Sequence, residues 1–337
     1  MSNAFFLTKW FYLAMRWIYE YLLSLTGWQA SFVIVLTIAV FTLAIRLLTV
    51  FSDISSRKSS AKMAKIQPDL QKLQKKYGND PQRLNLEQRK LMQDNGISAF
   101  GGCLPLLITM PLFFIFINAF RAWSNEQMLR LLLTMSQDQL AGVEMFDSYK
   151  FFWIQNIWRP DNLSSSAVMT GTEFWRTFAE TNGTFIDKFI FYSENQAAFE
   201  TLLTDMGFYV KDAAGALTVA ADNTAFLTAY EQIMGPCIDR FAGYVNGLGV
   251  LPILAGATSF LSSWIMMRNQ PKADPAANSG KSMMYIMPLM SIFFCWQYDS
   301  TFAWYWVFSN VFATLTGFII NKKMPAILAR SEEKKKK

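Results

Sequence analysis

The amino-acid sequence predicts an all-α polytopic membrane protein, a bundle of five transmembrane helices with a cytoplasmic helical hairpin and a small extracytoplasmic insertion of α/β character. The chain of 337 residues is 52% hydrophobic, which is high for a soluble protein. It also contains five segments without Asp, Glu, Lys or Arg, at residues 21–45, 95–120, 241–267, 282–298 and 300–321, each long enough for a helix to cross a hydrocarbon core of roughly 30 Å. These segments are continuously apolar rather than alternating, which favours helices over strands.

Lys and Arg residues set the predicted orientation of the spans, because they are enriched in cytoplasmic loops. The spans are predicted at residues 28–50, 99–123, 241–268, 282–298 and 300–321. Ten Lys and Arg residues lie in residues 51–100, three between Arg268 and Lys281, and seven after Asn321. We therefore expect the N-terminus outside and the C-terminus in the cytoplasm. Asp299 separates the last two spans, which form a hairpin.

The remaining segments are assigned by composition and by their place between the spans. They are residues 1–27, an outer interfacial amphipathic helix; 51–98, a basic cytoplasmic helical hairpin; 124–240, an extracytoplasmic region; 269–281, a cytoplasmic loop; and 322–337, a basic cytoplasmic tail, whose end at residues 331–337 we expect to be disordered. Within the outer region, residues 207–220 contain two β-prone runs around a glycine turn, which predicts a small α/β subdomain.

The basic hairpin is predicted from helical spacing on both sides of a tight turn near Gly78–Asp80, with Pro81 as a helix start signal. Two hypotheses stay open for it. It is either a solvated loop that obeys the charge bias, or a docking arm for nascent chains, anionic lipid or ribosomal RNA.

The composition excludes several classes of enzyme. The chain has no histidine, and its three cysteines lack the spacing of a metal site or a disulfide framework. Metal catalysis through histidine and every Ser-His or Cys-His mechanism are therefore excluded. No P-loop and no dinucleotide fingerprint is present. We expect no enzyme activity, no cofactor and no metal.

One arginine stands out in the first span. Arg46 follows a long apolar run, where a charge costs roughly 2.5–3.5 kcal/mol at a helix centre. Thr42, Arg46, Thr49 and Asp53 recur at steps of four, three and four residues, which places them on one helical face. We call these four residues the polar face of the first span. An intramembrane charge on such a face usually lines a cavity or a pathway.

Isolated polar groups also occur in the other spans. They are Thr109 and Asn118 in the second span, Ser291 and Gln297 in the fourth, and Asn310 and Thr314 in the fifth. Each one alone is most simply a helix–helix hydrogen bond, but together they predict a wet cavity in which Arg46 stays charged. Such a cationic recess equally describes a small anion channel or transporter, while a scaffold for ribosomes or Sec components would explain only the basic segments.

Four stretches resemble the YidC family of membrane protein insertases, related to the Oxa and Albino proteins. They are "GWQASFVIVLTIAVFTLAIRLLTV" at 27–50, "KIQPDLQKLQKKYGNDPQRLNLEQRKLMQDNGIS" at 65–98, "GCLPLLITMP" at 102–111 and "YIMPLMSIFFCWQYDSTFAWYW" from residue 285, in the family's order. The chain resembles the five-span, Gram-positive-like form, with an enlarged outer loop.

This resemblance implies a protein of the bacterial plasma membrane that inserts newly made membrane proteins without hydrolysing a nucleotide. It implies a hydrophilic groove, open to the cytoplasm and to lipid, with Arg46 as its arginine. The substrate-binding residues would be Arg46, Thr42, Thr49, Thr109, Asn118, Gln297, Asn310 and Thr314. The partners would be nascent membrane proteins, the lipid bilayer, the Sec translocon and the ribosome, the last through the basic hairpin and tail.

Overall fold

The computed structural model describes residues 2–97, 104–179, 194–268 and 279–336, and it is mostly helical, as predicted. Its helices are α1 (Ser2–Thr26), α2 (Ala30–Tyr77), α3 (Pro81–Asp94), α4 (Leu104–Gln137), α5 (Gln139–Asp147), α6 (Gly171–Phe178), α7 (Gln196–Asp205), α8 (Thr224–Arg240), α9 (Val250–Arg268), α10 (Ser279–Gln297) and α11 (Ser300–Lys336); its strands are β1 (Tyr209–Lys211) and β2 (Leu217–Val219).

The chain divides into two compact units that are each assembled from three segments. The first unit contains Met1–Ile38, Phe116–Ile253 and Phe293–Trp304, and the second contains Ala39–Ile115, Leu254–Ile292 and Tyr305–Lys337. Each unit therefore has a core built from distant parts of the sequence.

Helix α1 of the first unit has one buried and one exposed face. Tyr12 and Met15 are buried, and the Tyr12 hydroxyl donates a hydrogen bond to the carboxylate of Glu126 in α4. Trp10 and Trp17 are exposed on the other face. An amphipathic helix with exposed tryptophans suits a membrane interface, where their rings are enriched. Its position at the outer interface stays a prediction.

The outer region contains an aromatic core between α6, α8 and the strands. The Phe174 ring lies 4.4 Å from Phe178 and 5.4 Å from Phe226, measured between centroids, and Phe208 lies 5.4 Å from Phe226. The two strands predicted within residues 207–220 are confirmed as an antiparallel pair in which Tyr209 lies opposite Val219. Aromatic rings each bury a large apolar area, which stabilises a subdomain with little sheet.

A buried carboxylate holds the segment that precedes α9. The side chain of Asp161 is fully buried, and it accepts hydrogen bonds from the backbone N–H groups of Gly249 (3.0 Å) and Leu251 (2.7 Å) and from Nε1 of Trp153 (3.0 Å). A Cβ atom added at Gly247 would lie 2.0 Å from Oδ1 of Asp161. This loop is therefore bound tightly to the first unit.

The loop corrects one predicted boundary. Residues 241–249 belong to the predicted third span but are not helical, and α9 begins at Val250. Gly243 and Gly249 have φ angles of 77° and 75°, a conformation that ends a helix and that glycine adopts without strain. The stretch was predicted to be part of the span because it carries no charge, but its glycines form turns.

An ion pair and a capping box stabilise the N-terminus of α6. Arg159 Nη2 donates to both carboxylate oxygens of Glu173 at 2.9 and 2.8 Å, and Thr170 and Glu173 form a reciprocal capping box. Burial opposes ionisation of Glu173, but the attraction of Arg159 and the hydrogen bonds from Arg159 and Thr170 outweigh it, so its pKa is lowered. The charged form of Glu173 is thus the folded form.

This lowered pKa predicts a pH dependence. A carboxylate with a depressed folded-state pKa contributes stability above its unfolded pKa, and that contribution is lost as the pH falls through the folded value. We expect Glu173→Gln to lower the melting temperature at pH 7, and we expect this difference to shrink progressively as the pH falls below about 4.3, the ordinary pKa of a glutamate. Melting temperatures of both proteins between pH 3 and 7 measure this, with Glu231→Gln on the exposed face of α8 as the control. A constant difference across this range would contradict the ion-pair argument.

The second unit is organised around the long helix α2, which has 48 residues. The predicted first span and the first helix of the basic hairpin are one uninterrupted helix, with Pro68 inside it. The turn at residues 78–80 lies where the sequence predicts it, and Asp80 caps α3 by accepting a hydrogen bond from the N–H of Arg83.

The C-terminal helix α11 extends well beyond the predicted fifth span. It continues to Lys336 with Pro325 inside it, so the prediction of disorder at the end of the tail is wrong for residues 331–336. Ala, Leu, Arg, Glu and Lys, which make up most of the tail after Pro325, are strong helix formers. Lysines in the last turn also interact favourably with the helix dipole.

Two described helices are long and apolar enough to cross a membrane, at Ala30–Met63 and Ser300–Ile327. Val250–Ile265 and Tyr285–Gln297 are shorter apolar helices, and the count of five spans stays a prediction. Large apolar side chains cover the outside of the second unit: Leu48 and Phe51 are 75% and 79% exposed. Such contiguous apolar exposure is unfavourable in water and typical of contact with lipid.

Candidate functional site

The polar face of the first span lies on α2, in the second unit, and its arginine contacts α11. Arg46 is half-buried, and its Nη2 atom donates a hydrogen bond to the hydroxyl of Ser309. Ser309 is also hydrogen-bonded to Tyr305, one turn earlier on α11. Both groups are neutral, so these contacts orient the guanidinium without neutralising its charge.

A second arginine on the same helix also reaches α11. Arg57 is half-buried, and its Nη1 atom lies 3.2 Å from the side-chain oxygen of Asn321, to which it donates a hydrogen bond. Its guanidinium lies against Gly317, where an added Cβ atom would be 2.6 Å from Nη2. The glycine permits this close approach.

Asp53 lies between the two arginines on α2. It is half-buried, and both Arg46 and Arg57 attract its carboxylate. At 100° per residue, positions 46, 53 and 57 lie within about 40° of one another around the helix axis. The face therefore alternates positive, negative and positive charge along its length.

The other predicted site residues of the second unit mostly bond to helix backbone. Thr42 is buried, Thr49 donates to the carbonyl of Ile45 at 3.0 Å, and Thr314 donates to that of Asn310 at 2.7 Å. The side-chain amide of Asn310 donates to the Thr258 hydroxyl of α9 at 3.3 Å and links the two helices. Thr49, Asn310 and Thr314 therefore use their donors within and between these helices.

Two of the remaining predicted site residues belong to the first unit. Asn118 and Gln297 are exposed residues of the first unit, and the side chain of Thr109 lies outside the described residues. Ser291 is buried and donates to the carbonyl of Met287 in its own helix at 2.8 Å. The structure thus groups Thr42, Arg46, Thr49, Asn310 and Thr314 in one unit.

Sequence reasoning missed three contributors, Ser309, Arg57 and Asn321. Arg57 follows Asp53 by four residues and so continues the spacing of the polar face, but it was counted only as a topological charge. Asn321 follows Thr314 by seven residues on the same side of α11. The pairing of these residues across helices has no signal in one sequence.

These features define a class, a helical membrane protein with an arginine-bearing polar face. Comparison with known proteins identifies the family within this class. The model of a family described as "60Kd inner membrane protein" matches residues 27–327, so the chain belongs to that family of inner membrane proteins.

Several relatives are named "Membrane protein insertase YidC". That of Clostridium perfringens is 34% identical over 139 residues, which cover 41% of this chain and 49% of the relative. That of Clostridium tetani is 45% identical over 120 residues, covering 36% and 46%. That of Chlorobium luteolum is 26% identical over 312 residues, covering 90% and 36%. The matches span less than half the length of each of these relatives, and they give no support to the anion-channel interpretation.

Proposed function

We propose that this protein is an insertase that places newly made membrane proteins in the bilayer. The observation that carries the proposal is Arg46, a charge in the apolar N-terminal part of α2 whose contact on α11 is a neutral hydroxyl. The membership of the chain in a family with members named as insertases supports it.

The mechanism follows from electrostatics and hydrophobicity. In a water-filled recess of low dielectric, the Arg46 guanidinium attracts carboxylates of the segment that must cross the membrane. The apolar helix of the substrate then moves into lipid beside the exposed side chains of α9 and α11, such as Leu261 and Leu315. Transfer of this helix from water to lipid is the driving force, so no nucleotide is required.

The topology of the proposal has five spans, with the N-terminus outside and the C-terminus in the cytoplasm. The charge distribution of the sequence supports this orientation. The groove would be lined by the polar face of the first span together with Asn310 and Thr314, and by Thr109, Asn118 and Gln297 of the other spans. The Sec translocon and the ribosome are proposed partners, and α3 with the end of α2 offers basic residues to ribosomal RNA.

Reconstitution tests the function directly. The purified chain is placed in liposomes, and a short single-span substrate with an acidic tail is added. Protease protection of the tail measures insertion. We expect protection well above that of protein-free liposomes, without any nucleotide. Protection equal to protein-free liposomes would overturn the proposed function.

A further inference from the structure

Two arginines of α2 are hydrogen-bonded to α11 at two separate positions along the helix. Arg46 bonds to Ser309, and Arg57 bonds to Asn321. The two arginines are eleven residues apart on one continuous helix, which is about 16 Å along its axis and about 20° around it. They therefore lie on one line, with Arg57 on the side of the basic hairpin.

The guanidinium of Arg57 is packed against α11 rather than fully solvated. Its guanidinium is half-buried and fits against Gly317, a buried backbone position of α11. A lysine or arginine that serves only the charge bias would be exposed to water, as Lys75 is. The hydrogen bond to Asn321 comes from Nη1 and orients a guanidinium that has five donors in total.

Asp53 is the acidic side chain that the polar face itself supplies. Because it lies one turn from Arg57 and two turns from Arg46, its carboxylate attracts both guanidinium groups. A carboxylate in this position has the same chemistry as an acidic residue of a passing segment. It therefore competes with such a residue for the arginines.

We propose that Arg57 is a second carboxylate-binding residue on the route to Arg46, and that Asp53 is the resident counterion that an acidic segment of the substrate displaces. This inference rests on the proposed function and adds its selectivity for charge. A segment with carboxylates exchanges with Asp53 at Arg57 and then at Arg46. A neutral segment leaves Asp53 in place and gains nothing from the arginines.

The test compares two single-span substrates that differ only in their tails, one with two Asp residues and one with two Asn residues. Wild-type protein, Arg57→Gln, Gly317→Ala and Asp53→Asn are reconstituted in liposomes, and the ratio of acidic-tail to neutral-tail insertion rates is measured. Lys58→Gln is the matched control, since it removes the same charge from a neighbouring position on a different side of α2.

We expect Arg57→Gln to lower the ratio three- to tenfold while the neutral-tail rate changes less than twofold. Gly317→Ala keeps every charge but displaces the guanidinium, so it lowers the ratio in the same direction. Asp53→Asn frees both arginines and raises the ratio at least twofold. Lys58→Gln leaves it unchanged. A purely structural disturbance would lower both rates together, and it does not predict opposite signs at neighbouring positions.

The outcomes separate this inference from the proposed function. Wild-type insertion with a ratio unchanged in Arg57→Gln and Gly317→Ala would overturn the role of Arg57. A ratio that is unchanged or lower in Asp53→Asn would overturn the role of Asp53. Either result leaves the insertase itself in place. If Arg57→Gln does not accumulate in the membrane, Arg57→Lys and Gly317→Ala test the same contact with the charge retained.

Discussion

Arg46→Ala lowers insertion of a substrate with an acidic tail by about tenfold, which corresponds to a loss of about 1.4 kcal/mol of attraction, and it leaves a neutral-tail substrate nearly unaffected. The reason is that the Ser309 hydroxyl bonded to Arg46 is neutral, so a substrate carboxylate that replaces Asp53 gains the full attraction of the guanidinium. Arg46→Lys retains part of the activity because charge matters more here than the fork geometry of the guanidinium. Protease protection in liposomes measures all three proteins.

A control for total charge is Arg83→Ala on the exposed surface of α3, which removes one positive charge outside the polar face. We expect it to behave as wild type. If Arg46→Ala inserted the acidic-tail substrate as fast as wild type, the central role given to this side chain would be wrong. Insertion would then depend on the apolar helix surfaces alone.

The largest expected effect on stability is at Asp161. Asp161→Ala removes the acceptor of two backbone N–H groups and of the Trp153 indole, all in a buried place. Charged hydrogen bonds contribute roughly 1.5–3 kcal/mol each, so we expect a loss of about 3 kcal/mol or more from the first unit. Asp161→Asn keeps one carbonyl acceptor, so we expect its stability to lie between those of wild type and Asp161→Ala.

Cys237 reports this loss locally. It is buried in α8, and burial raises the pKa of its thiol to about 11, so it reacts slowly in the folded unit. In a background with Cys103→Ala and Cys295→Ala, labelling by a soluble maleimide becomes much faster in Asp161→Ala than in wild type. The control is Asp205→Ala at the exposed end of α7. Equal labelling rates in Asp161→Ala and wild type would refute the argument that this carboxylate holds the loop.

The long apolar helices, the turn at residues 78–80 and the β hairpin were predictable because each has a local signal. Apolar runs indicate span-like helices, Pro81 after Asp80 indicates a helix start, and β-prone runs around Gly215 indicate a hairpin. The start of α9 was not predictable in this way. Residues 241–249 lack charge like a span, but the buried Asp161 that holds them lies some ninety residues away in sequence.

The candidate site likewise has features with a local sequence signal and features that depend on distant contacts. Arg46 and its face follow from spacing within one helix. The contact of Arg46 with Ser309 and that of Arg57 with Gly317 depend on how α2 packs against α11. Residue spacing within one sequence does not predict this packing. The helical tail was missed for another reason, since a run of like charges is typical of disorder while its residues individually favour helix.

The uninterrupted helix α2 also acts as a lever. Arg46 and Gln67, the residue before Pro68, are separated by about 32 Å of helix. A tilt of 5° about Arg46 would move the far end by about 3 Å. A rotation of this helix about Arg46 would therefore displace its cytoplasmic end, which carries Lys75 and Lys76, relative to the arginine.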